Sequence, residues 1–391
     1  MIDKISTGYS IYIITGEESG DILGAQLIRA LKLKYQKDIR FVGVGGLKMA
    51  AEGHTSLFPI TELSVMGLAE VIPRIPKILN LINQTVSDII KQQPNVIITI
   101  DAPDFCFRIA RRLKGKGIPL IHYVAPSVWA WRPNRAKKVA NLFDHLISIL
   151  PFEPPYFQKY GLQTSFVGHP VVQSLSYPAN PISFREQLNI PSQTKIIILL
   201  PGSRTGEVKR HLPIFKETII KLARKIRDIH IICLVTENTK FMVSKSAKTW
   251  SFTHSIIHEK HDKLSALASG NVALAASGTV ALELACAGTP SIITYKINPV
   301  SAWVARKMVK ISYANIVNLL LKREAIPEFI QKKCNPHFLC KALFTLLNEP
   351  QSQIQQRLDY SEALNFLKLS DIEKKTPSDH AAEVITKYIE K

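Results

Sequence analysis

Short apolar runs alternate with amphipathic segments through the first half of the chain, as expected when strands alternate with helices. The apolar runs predict strands at residues 10–15, 40–44, 96–101, 119–124, 145–150 and 164–167. Between the first two, Leu23, Leu27 and Leu31 recur at helical spacing. Ser19 or Asp21 is placed to cap that helix. The alternation predicts parallel strands joined by crossover helices.

A proline-containing, weakly patterned segment at residues 168–181 reads as a linker, and a second alternating series follows it. Its strands are predicted at residues 195–200, 230–235, 255–258, 272–275 and 291–295. Beyond Asn348 the tail is polar with helical spacing. Because 391 residues exceed what one core usually organises, we predict two α/β domains with a cleft between their sheets.

Composition narrows the class of protein without identifying it. The formal net charge is +19, which predicts an anionic partner such as nucleic acid, acidic lipid or a phosphorylated substrate. No apolar run approaches the roughly 20 residues needed to span a bilayer, and no convincing signal peptide is present. The five cysteines are scattered and odd in number, which argues against a disulfide framework or zinc site and fits a reducing cytoplasm.

Ligands of open α/β sheets bind at the carboxyl ends of the strands, and one such end here carries Gly202, Ser203 and Arg204. The first N–H groups of the following helix favour a phosphate. Ser203 can donate its hydroxyl, and Arg204 can bind phosphate oxygens with two N–H groups. The alternative is an ordinary capped turn with a surface arginine.

A second small-residue turn, Ser277-Gly278-Thr279, follows the strand at residues 272–275. Glu283 lies one helical turn beyond Thr279, where its carboxylate could accept hydrogen bonds from both ribose hydroxyls. The alternative is a helix capped by Ser277 or Thr279, with Glu283 in solvent. The chain has no G-x-G-x-x-G, P-loop or D-x-D motif, which disfavours a nicotinamide cofactor, a P-loop NTPase and a D-x-D metal site.

Two acidic residues, Asp101 and Asp104, follow the buried strand at residues 96–101. A carboxylate at a strand end is well placed to act as general base, and we assign that role to Asp101. Asp104 is better suited to cap the next helix, although the sequence leaves open whether it assists.

The segment Val124–Arg132 leaves another strand at the same edge. Its Trp129, Trp131 and Arg132 could form a wall for an apolar or sugar-bearing substrate. Aromatic and basic residues together can also bind RNA, but no RNA-recognition, KH or zinc-knuckle pattern supports that interpretation.

Residues 71–82 are apolar with interspersed cations. They predict either a buried core helix or a surface element that enters an anionic membrane. In the second case the contacting residues would be Ile72, Ile75, Ile78, Leu79 and Ile82.

Several segments together resemble the lipid-A-disaccharide synthase family, in the family's order along nearly the whole chain. They are residues 16–24, 65–67, 100–105, 122–132, 150–153, 200–204, 276–279 and 318–320. Glu18 fills a variable position of the first segment. Val317 stands where the family has proline before Asn318.

The resemblance implies a GT-B fold, in which two Rossmann-like domains face a cleft and the C-terminal helix returns to the N-terminal domain. It implies an acceptor-binding domain at residues 1–172, a UDP-sugar-binding domain at residues 173–350, and a helical tail at residues 351–391 packing on the first. The activity implied is that of an inverting hexosyltransferase in lipid A (lipopolysaccharide) biosynthesis in a Gram-negative bacterium, with no cofactor and no catalytic metal.

The implied donor is UDP-2,3-diacylglucosamine, and the implied acceptor is 2,3-diacylglucosamine 1-phosphate (lipid X). The products would be the β-1,6-linked disaccharide 1-phosphate and UDP. Asp101 would be the catalytic base. Ser19 and Ser127 would join the tryptophan wall at the acceptor, and Asn318 would join the two small-residue turns at the UDP. The enzyme would be cytoplasmic and bound peripherally to the anionic inner-membrane surface, without nucleic acid, and a homodimer is compatible with the sequence.

Two alternatives stay open. One is another GT-B enzyme acting on a UDP-sugar, such as a UDP-GlcNAc 2-epimerase, which needs no lipid acceptor. The other is a non-catalytic basic protein that binds RNA or an anionic membrane.

Overall fold

The computed structural model describes residues 8–35, 39–63, 68–131, 134–176, 178–258, 262–298, 302, 311–369 and 375–390. Side chains are described in these ranges except at residues 68–74, 131, 174 and 176. The chain divides into two compact units, Met1–Pro170 with Leu367–Lys391, and Val171–Phe366.

The first unit is built on a parallel sheet of seven strands in the order β3-β2-β1-β4-β5-β6-β7. The strands are β1 (Tyr9–Thr15), β2 (Ile39–Val44), β3 (Thr55–Ser56), β4 (Val96–Ile100), β5 (Leu120–Tyr123), β6 (His145–Ser148) and β7 (Gln163–Phe166). All five residues of β4 are buried, because helices cover both faces of the sheet.

Among the described residues of this unit, seven helices lie between or beside the strands and an eighth comes from the C-terminal segment. They are α1 (Glu18–Tyr35), α2 (Leu47–Ala51), α3 (Leu68–Gln92), α4 (Pro103–Leu113), α5 (Val128–Trp131), α6 (Asn134–Ala140), α7 (Pro154–Gln158) and, near the C-terminus, a helix at Pro377–Ile389. Tyr12 and Ile14 pack on one face of the sheet with residues of α3 and α4. Ile11 and Ile13 pack on the other face with α1 and the C-terminal helix.

The second unit has a parallel sheet of six strands in the order β10-β9-β8-β11-β12-β13. The strands are β8 (Lys195–Leu200), β9 (Ile229–Val235), β10 (His254–His258), β11 (Val272–Ala276), β12 (Ser291–Tyr295) and β13 (Glu328–Ile330). The helices are α8 (Pro181–Gln187), α9 (Thr205–Ala223), α10 (Glu237–Ala247), α11 (Lys263–Ala268), α12 (Val280–Ala287), α13 (Ile316–Leu321), α14 (Pro336–Asn348) and α15 (Pro350–Phe366). The C-terminal helix of the first unit is α16.

The tail divides between the two units. In α15, the Gln356 side chain pairs with the backbone of Ser291, accepting from its N–H at 2.8 Å and donating to its carbonyl at 3.2 Å. Tyr360 lies 2.9 Å from the Ser291 hydroxyl, so α15 is anchored to β12. The tail predicted to start at residue 351 therefore joins the first unit only from Leu367 onward.

In α16, Ile385 is fully buried beside Leu27 and Leu31 of α1. The Tyr388 hydroxyl lies 3.0 Å from Nδ1 of His145 at the start of β6. This helix returns to the first unit because its apolar face covers part of the sheet that α1 leaves open.

The predicted α/β fold class is confirmed, and the strands lie within a few residues of their predicted positions. The two- and three-residue strands β3 and β13 were not predicted, because such short segments carry no hydrophobic period. Asp21 does not cap α1, which begins at Glu18. Its carboxylate accepts hydrogen bonds from the backbone N–H groups of Gly46 (2.8 Å), Lys48 (2.9 Å) and Met49 (3.1 Å), and so caps α2.

Among the described residues, no helix combines the length and the apolar character needed to cross a membrane.

Candidate functional site

A pocket in the second unit lies at the carboxyl ends of β8, β9 and β11. The parallel strands bring these ends to one edge of the sheet, where small and charged residues gather. The polar and small residues that line the pocket are Gly202, Ser203, Glu207, Thr236, Lys263, Ser277, Gly278, Thr279 and Glu283. Six of the eight residues predicted to bind the donor are therefore brought together, and Arg204 adjoins them.

The turn after β8 requires glycine at position 202. Gly202 has a φ of 123°, and a β-carbon there would lie 2.8 Å from the β-carbon of Glu207. Arg204 occupies the N-cap position of α9 but makes no side-chain cap hydrogen bond. The start of this 19-residue helix thus presents its positive dipole end at the pocket without a capping side chain.

A buried histidine holds this turn in place. Nε2 of His211 accepts a hydrogen bond from the Lys296 N–H at 2.9 Å, so Nδ1 carries the proton and donates to the Pro201 carbonyl at 3.1 Å. Burial lowers the pKa of His211, which favours this neutral form. The ring therefore ties the turn after β8 to the end of β12.

Two ion pairs lie at the pocket. Arg204 lies 3.5 Å from the carboxylate of Glu207, and Lys263 lies 2.8 Å from that of Glu283. The sequence analysis did not identify Lys263. This residue begins α11, and the capping residue Asp262 before it marks only the start of a helix. Two cations, each paired with a carboxylate, and the uncapped start of α9 give the pocket hydrogen-bond donors of the kind that bind a diphosphate.

The Ser277–Thr279 turn is not a capped helix start. Thr279 occupies the N-cap position of α12 without a side-chain cap hydrogen bond, and the Ser277 hydroxyl donates instead to the Ala314 carbonyl at 3.0 Å. Among the described residues other than its two chain neighbours, no atom lies within 4 Å of the position that a β-carbon at Gly278 would occupy. The turn therefore leaves room for a ligand to approach its backbone.

Asn318 does not line the pocket. It is fully buried, and its side-chain amide makes four hydrogen bonds within the chain, two as donor and two as acceptor. An amide side chain has two N–H donors and two oxygen lone pairs, so these four hydrogen bonds use all of them. The structure thus places Asn318 as a support of the loop that carries Ala314, and contact with a nucleotide stays a prediction.

In the first unit, Asp101 follows β4 at the edge where β1, β5 and β6 also end. It is half-buried, and its backbone N–H donates to the Tyr123 carbonyl at 3.0 Å. Three residues at this edge have positive φ, namely Asp101 (51°), Ala102 (43°) and Val124 (78°). This is an uncommon backbone for residues other than glycine, and such strain concentrates at functional sites.

The glycine loop after β1 lies against the same edge. A β-carbon at Gly16 would lie 2.8 Å from that of Ala102, so only glycine allows the two segments to meet. Ser19 and Ser127 are both exposed, which leaves their hydroxyls accessible. Their role at an acceptor stays a prediction.

The structure separates the two aspartates. The Asp104 side chain is fully exposed on the first turn of α4, with Arg135 at 3.7 Å. Asp101 instead lies close enough to the buried thiol of Cys106 for its charge to add to burial in raising the pKa of that thiol. The two aspartates thus have different surroundings, and the role of Asp101 as general base stays a prediction.

Trp129 is held by a buried glutamate that sequence reasoning did not single out. The indole N–H donates to Glu153 at 3.3 Å, and the ring meets that of Phe152 edge-on, with centroids 5.3 Å apart. Glu153 is 2% exposed, and burial raises its pKa to about 8. The backbone N–H of Leu150 also donates to this carboxyl, at 3.2 Å.

Glu153→Gln should make the protein less sensitive to rising pH. Because burial raises the pKa of Glu153 in the folded protein, the folded state binds this proton more tightly than the unfolded chain does. Stability should fall as pH rises from the ordinary carboxyl range to about 8, by about 1.4 kcal/mol per unit of pKa difference at most. Chemical denaturation at pH 5 and pH 8.5 measures this loss, which the glutamine variant should largely lack. Glu390→Gln, at an exposed position in the same unit, is the control. If the free energy of unfolding fell equally with pH in wild type and Glu153→Gln, the raised pKa of Glu153 would be contradicted.

The predicted membrane residues differ in exposure. Ile75 is 43% exposed, Ile78 and Leu79 are half-buried, and Ile82 is fully buried in the core against the sheet. Ile82 therefore packs inward, because α3 turns that part of its apolar stripe toward β1 and β4. The side chains of Ile72 and Trp131, and all of Arg132, lie outside the described residues, as does the motif at residues 65–67.

In the part of the chain that the structure describes, no three histidine, cysteine, aspartate or glutamate side chains cluster as a metal site.

Comparison with known sequences shows similarity to a protein family over nearly the whole chain. The family model described as Lipid-A-disaccharide synthetase matches residues 11–383. The lipid-A-disaccharide synthase of Rhodospirillum centenum is 42% identical over 383 residues, covering 97% of this chain and 95% of that protein. The corresponding synthase of Paramagnetospirillum magneticum is 42% identical over 385 residues, covering 97% of each.

Solved structures share the fold at low sequence identity. The S. aureus MnaA–UDP co-structure has a TM-score of 0.66 at 14% identity, covering 98% of this chain and 96% of that one. The glycotransferase of kitacinnamycin has a TM-score of 0.62 at 13% identity, covering 98% of this chain and 99% of that one. The structure of UDP-GlcNAc 2-epimerase from Neisseria meningitidis bound to UDP-GlcNAc has a TM-score of 0.61 at 12% identity, covering 97% of this chain and 98% of that one. The predicted GT-B fold is thereby confirmed, but at these identities the likeness does not choose between transferase and epimerase.

Proposed function

Since the chain belongs to the lipid-A-disaccharide synthase family, we propose that it condenses UDP-2,3-diacylglucosamine with lipid X. The chain is a glycosyltransferase that makes the lipid A disaccharide, and the identity of both acylated substrates is the proposal. The products are the β-1,6-linked disaccharide 1-phosphate and UDP. Relatives about 40% identical over nearly the full length disfavour the epimerase alternative.

The pocket of the second unit is the donor site in this proposal, and the observation that carries it is the pairing of two small-residue turns there. Arg204, Ser203 and the start of α9 face the diphosphate. Glu283, which pairs with Lys263 at 2.8 Å, accepts from the ribose hydroxyls. The MnaA structure is a UDP co-structure with the same fold, which supports UDP as a ligand of this fold.

The edge of the first unit holds the acceptor sugar. Asp101 takes the proton from the acceptor 6-hydroxyl while that oxygen attacks C1 of the donor, and the bond from C1 to UDP breaks with inversion. Trp129, fixed by Glu153, forms an apolar wall for the sugar. Negative charge grows on the departing UDP, where Arg204 and the helix start stabilise it.

Incubating the purified protein with both lipid substrates in detergent, with chelator present, tests the reaction. Equal amounts of UDP and disaccharide should form, and none should form when either substrate is omitted. UDP-GlcNAc turned over without an acceptor would instead support an epimerase. A folded protein that binds UDP but gives no disaccharide would overturn the assignment of the lipid substrates.

We also propose that the protein binds peripherally to the cytoplasmic face of the anionic inner membrane through the start of α3. Ile75, Pro76 and Lys77 are exposed there in succession, which combines an apolar side chain with a cation. Both substrates carry acyl chains in this proposal, so an enzyme that acts on them must meet the lipid surface. The net charge of +19 adds long-range attraction to anionic headgroups.

Ile75→Asp should weaken binding to vesicles that contain phosphatidylglycerol, because it puts a negative charge where an apolar side chain would enter the interface. Ile90 is a matched control on the same helix, since it is 44% exposed against 43% for Ile75. Cosedimentation should fall several-fold for Ile75→Asp and stay unchanged for Ile90→Asp. Equal binding by wild type and Ile75→Asp would remove this segment from the membrane contact.

A further inference from the structure

The Ser277 turn of the pocket is fixed by a loop from another part of the second unit. The Ser277 hydroxyl donates to the carbonyl of Ala314 at 3.0 Å, 37 residues away in the chain. Ala314 lies between β12 and β13, just before α13. The orientation of Ser277 therefore depends on what holds Ala314.

Ala314 is held by the carboxylate of Glu328. Its backbone N–H lies 2.8 Å from one oxygen of Glu328 and 3.0 Å from the other. The same carboxylate accepts from the Asn315 N–H at 3.0 Å and from the Asn315 and Asn318 amides at 2.6 Å and 3.0 Å. One negative charge thus gathers donors from three residues, and hydrogen bonds to a charged acceptor are stronger than those between neutral groups.

Glu328 is itself on a rigid element. It is the first residue of β13 and pairs with Ile293 of β12 in the parallel sheet. Buried Asn318 braces the other side of the loop, since its amide bonds the backbone of Ile326 at 2.8 Å as both donor and acceptor. The connection therefore runs from the sheet through Glu328 and Ala314 to Ser277 in the pocket.

We propose that Glu328 is a positioning residue for nucleotide binding, acting through Ala314 and Ser277. This inference rests on the proposed donor site and adds a residue that does not touch the ligand. A neutral side chain at position 328 leaves the N–H groups of Ala314 and Asn315 without their charged acceptor, so the loop shifts. The Ser277 hydroxyl then loses the carbonyl that orients it, and the turn no longer presents this side chain to the nucleotide in a fixed position.

The test is a double-mutant cycle on the Kd of UDP, measured by calorimetry with Glu328→Gln, Ser277→Ala and the double variant. Glu328→Gln alone should weaken UDP binding about tenfold, the effect of losing a hydrogen bond to a charged group. In the Ser277→Ala background the same change should have little further effect, because its route to the ligand is already broken. Equal weakening in both backgrounds, or no weakening at all, would overturn the inference.

Two further variants keep the result interpretable. Glu324→Gln is the matched control, since the Glu324 carboxyl accepts an exposed 3.3 Å bond from the Glu328 N–H, and its Kd should equal that of wild type. Glu328→Asp keeps the charge and should recover part of the affinity, so it replaces Glu328→Gln in the cycle if the latter fails to fold. Wild type that does not bind UDP would contradict the donor site itself, whereas tight binding by wild type and Glu328→Gln alike would contradict only this inference.

Discussion

Replacing Asp101 with asparagine should lower kcat by about 10²- to 10⁴-fold, the range that a positioned general base contributes. Asparagine keeps the size of the side chain but cannot take up the proton of the acceptor hydroxyl. It also tolerates the left-handed backbone of this residue, whose φ is 51°, so the fold should be retained. Affinity for UDP, measured by calorimetry, should change little because Asp101 lies in the other unit from the pocket.

Asp104→Asn provides the matched control, three residues further on. Its side chain is fully exposed and pairs with Arg135 only at 3.7 Å, so kcat should stay within a few-fold of wild type. A comparable loss of kcat in both variants would mean that the negative charge of this sheet edge matters, and not a specific role of Asp101 as base. Normal turnover by Asp101→Asn would exclude Asp101 as the base.

Arg204→Ala should weaken UDP binding by about 10- to 100-fold, since hydrogen bonds to a charged group contribute about 1.5–3 kcal/mol. The guanidinium is 70% exposed and lies 3.5 Å from Glu207, an arrangement that adds little to folding stability. The melting temperature should therefore stay near that of wild type while the Kd of UDP rises. Turnover at saturating donor should fall as well, because Arg204 also stabilises the leaving group.

Arg224→Ala removes the same side chain at the opposite end of α9, where it is exposed and distant from the pocket. Its Kd for UDP should match that of wild type. Arg204→Lys, which keeps the charge but loses the planar fork, should lie between wild type and Arg204→Ala. Unchanged UDP affinity in Arg204→Ala would remove this residue from the donor site.

The sequence predicts the position of the site better than the contacts within it. In a parallel sheet, every carboxyl strand end meets at one edge, so finding Gly202 and Ser277 after apolar runs was enough to bring them together. The same reasoning predicted Asp101 at the edge of the first sheet. These predictions needed only local hydrophobic patterns and the topology that follows from them.

Pairs distant in sequence were not predictable in this way. Lys263 reaches Glu283 from a helix start that carries no motif, and Glu328 reaches Ala314 from a three-residue strand. The sequence did not show that the side-chain amide of Asn318 supports a loop through residues 325 and 326. Ile82 shows a related limit, because an apolar helical stripe has the same pattern whether it faces a core or a lipid surface.

The return of α16 to the first unit has a consequence for the order in which the protein can fold during synthesis. The second unit is complete once Phe366 has been made, whereas the first unit lacks its last core helix until residues 377–389 emerge. Until then, the surface around Leu27 and Leu31 that Ile385 covers stays open to water. On the ribosome, the unit whose synthesis begins first is thus the unit that finishes last, contrary to the usual order from the N-terminus.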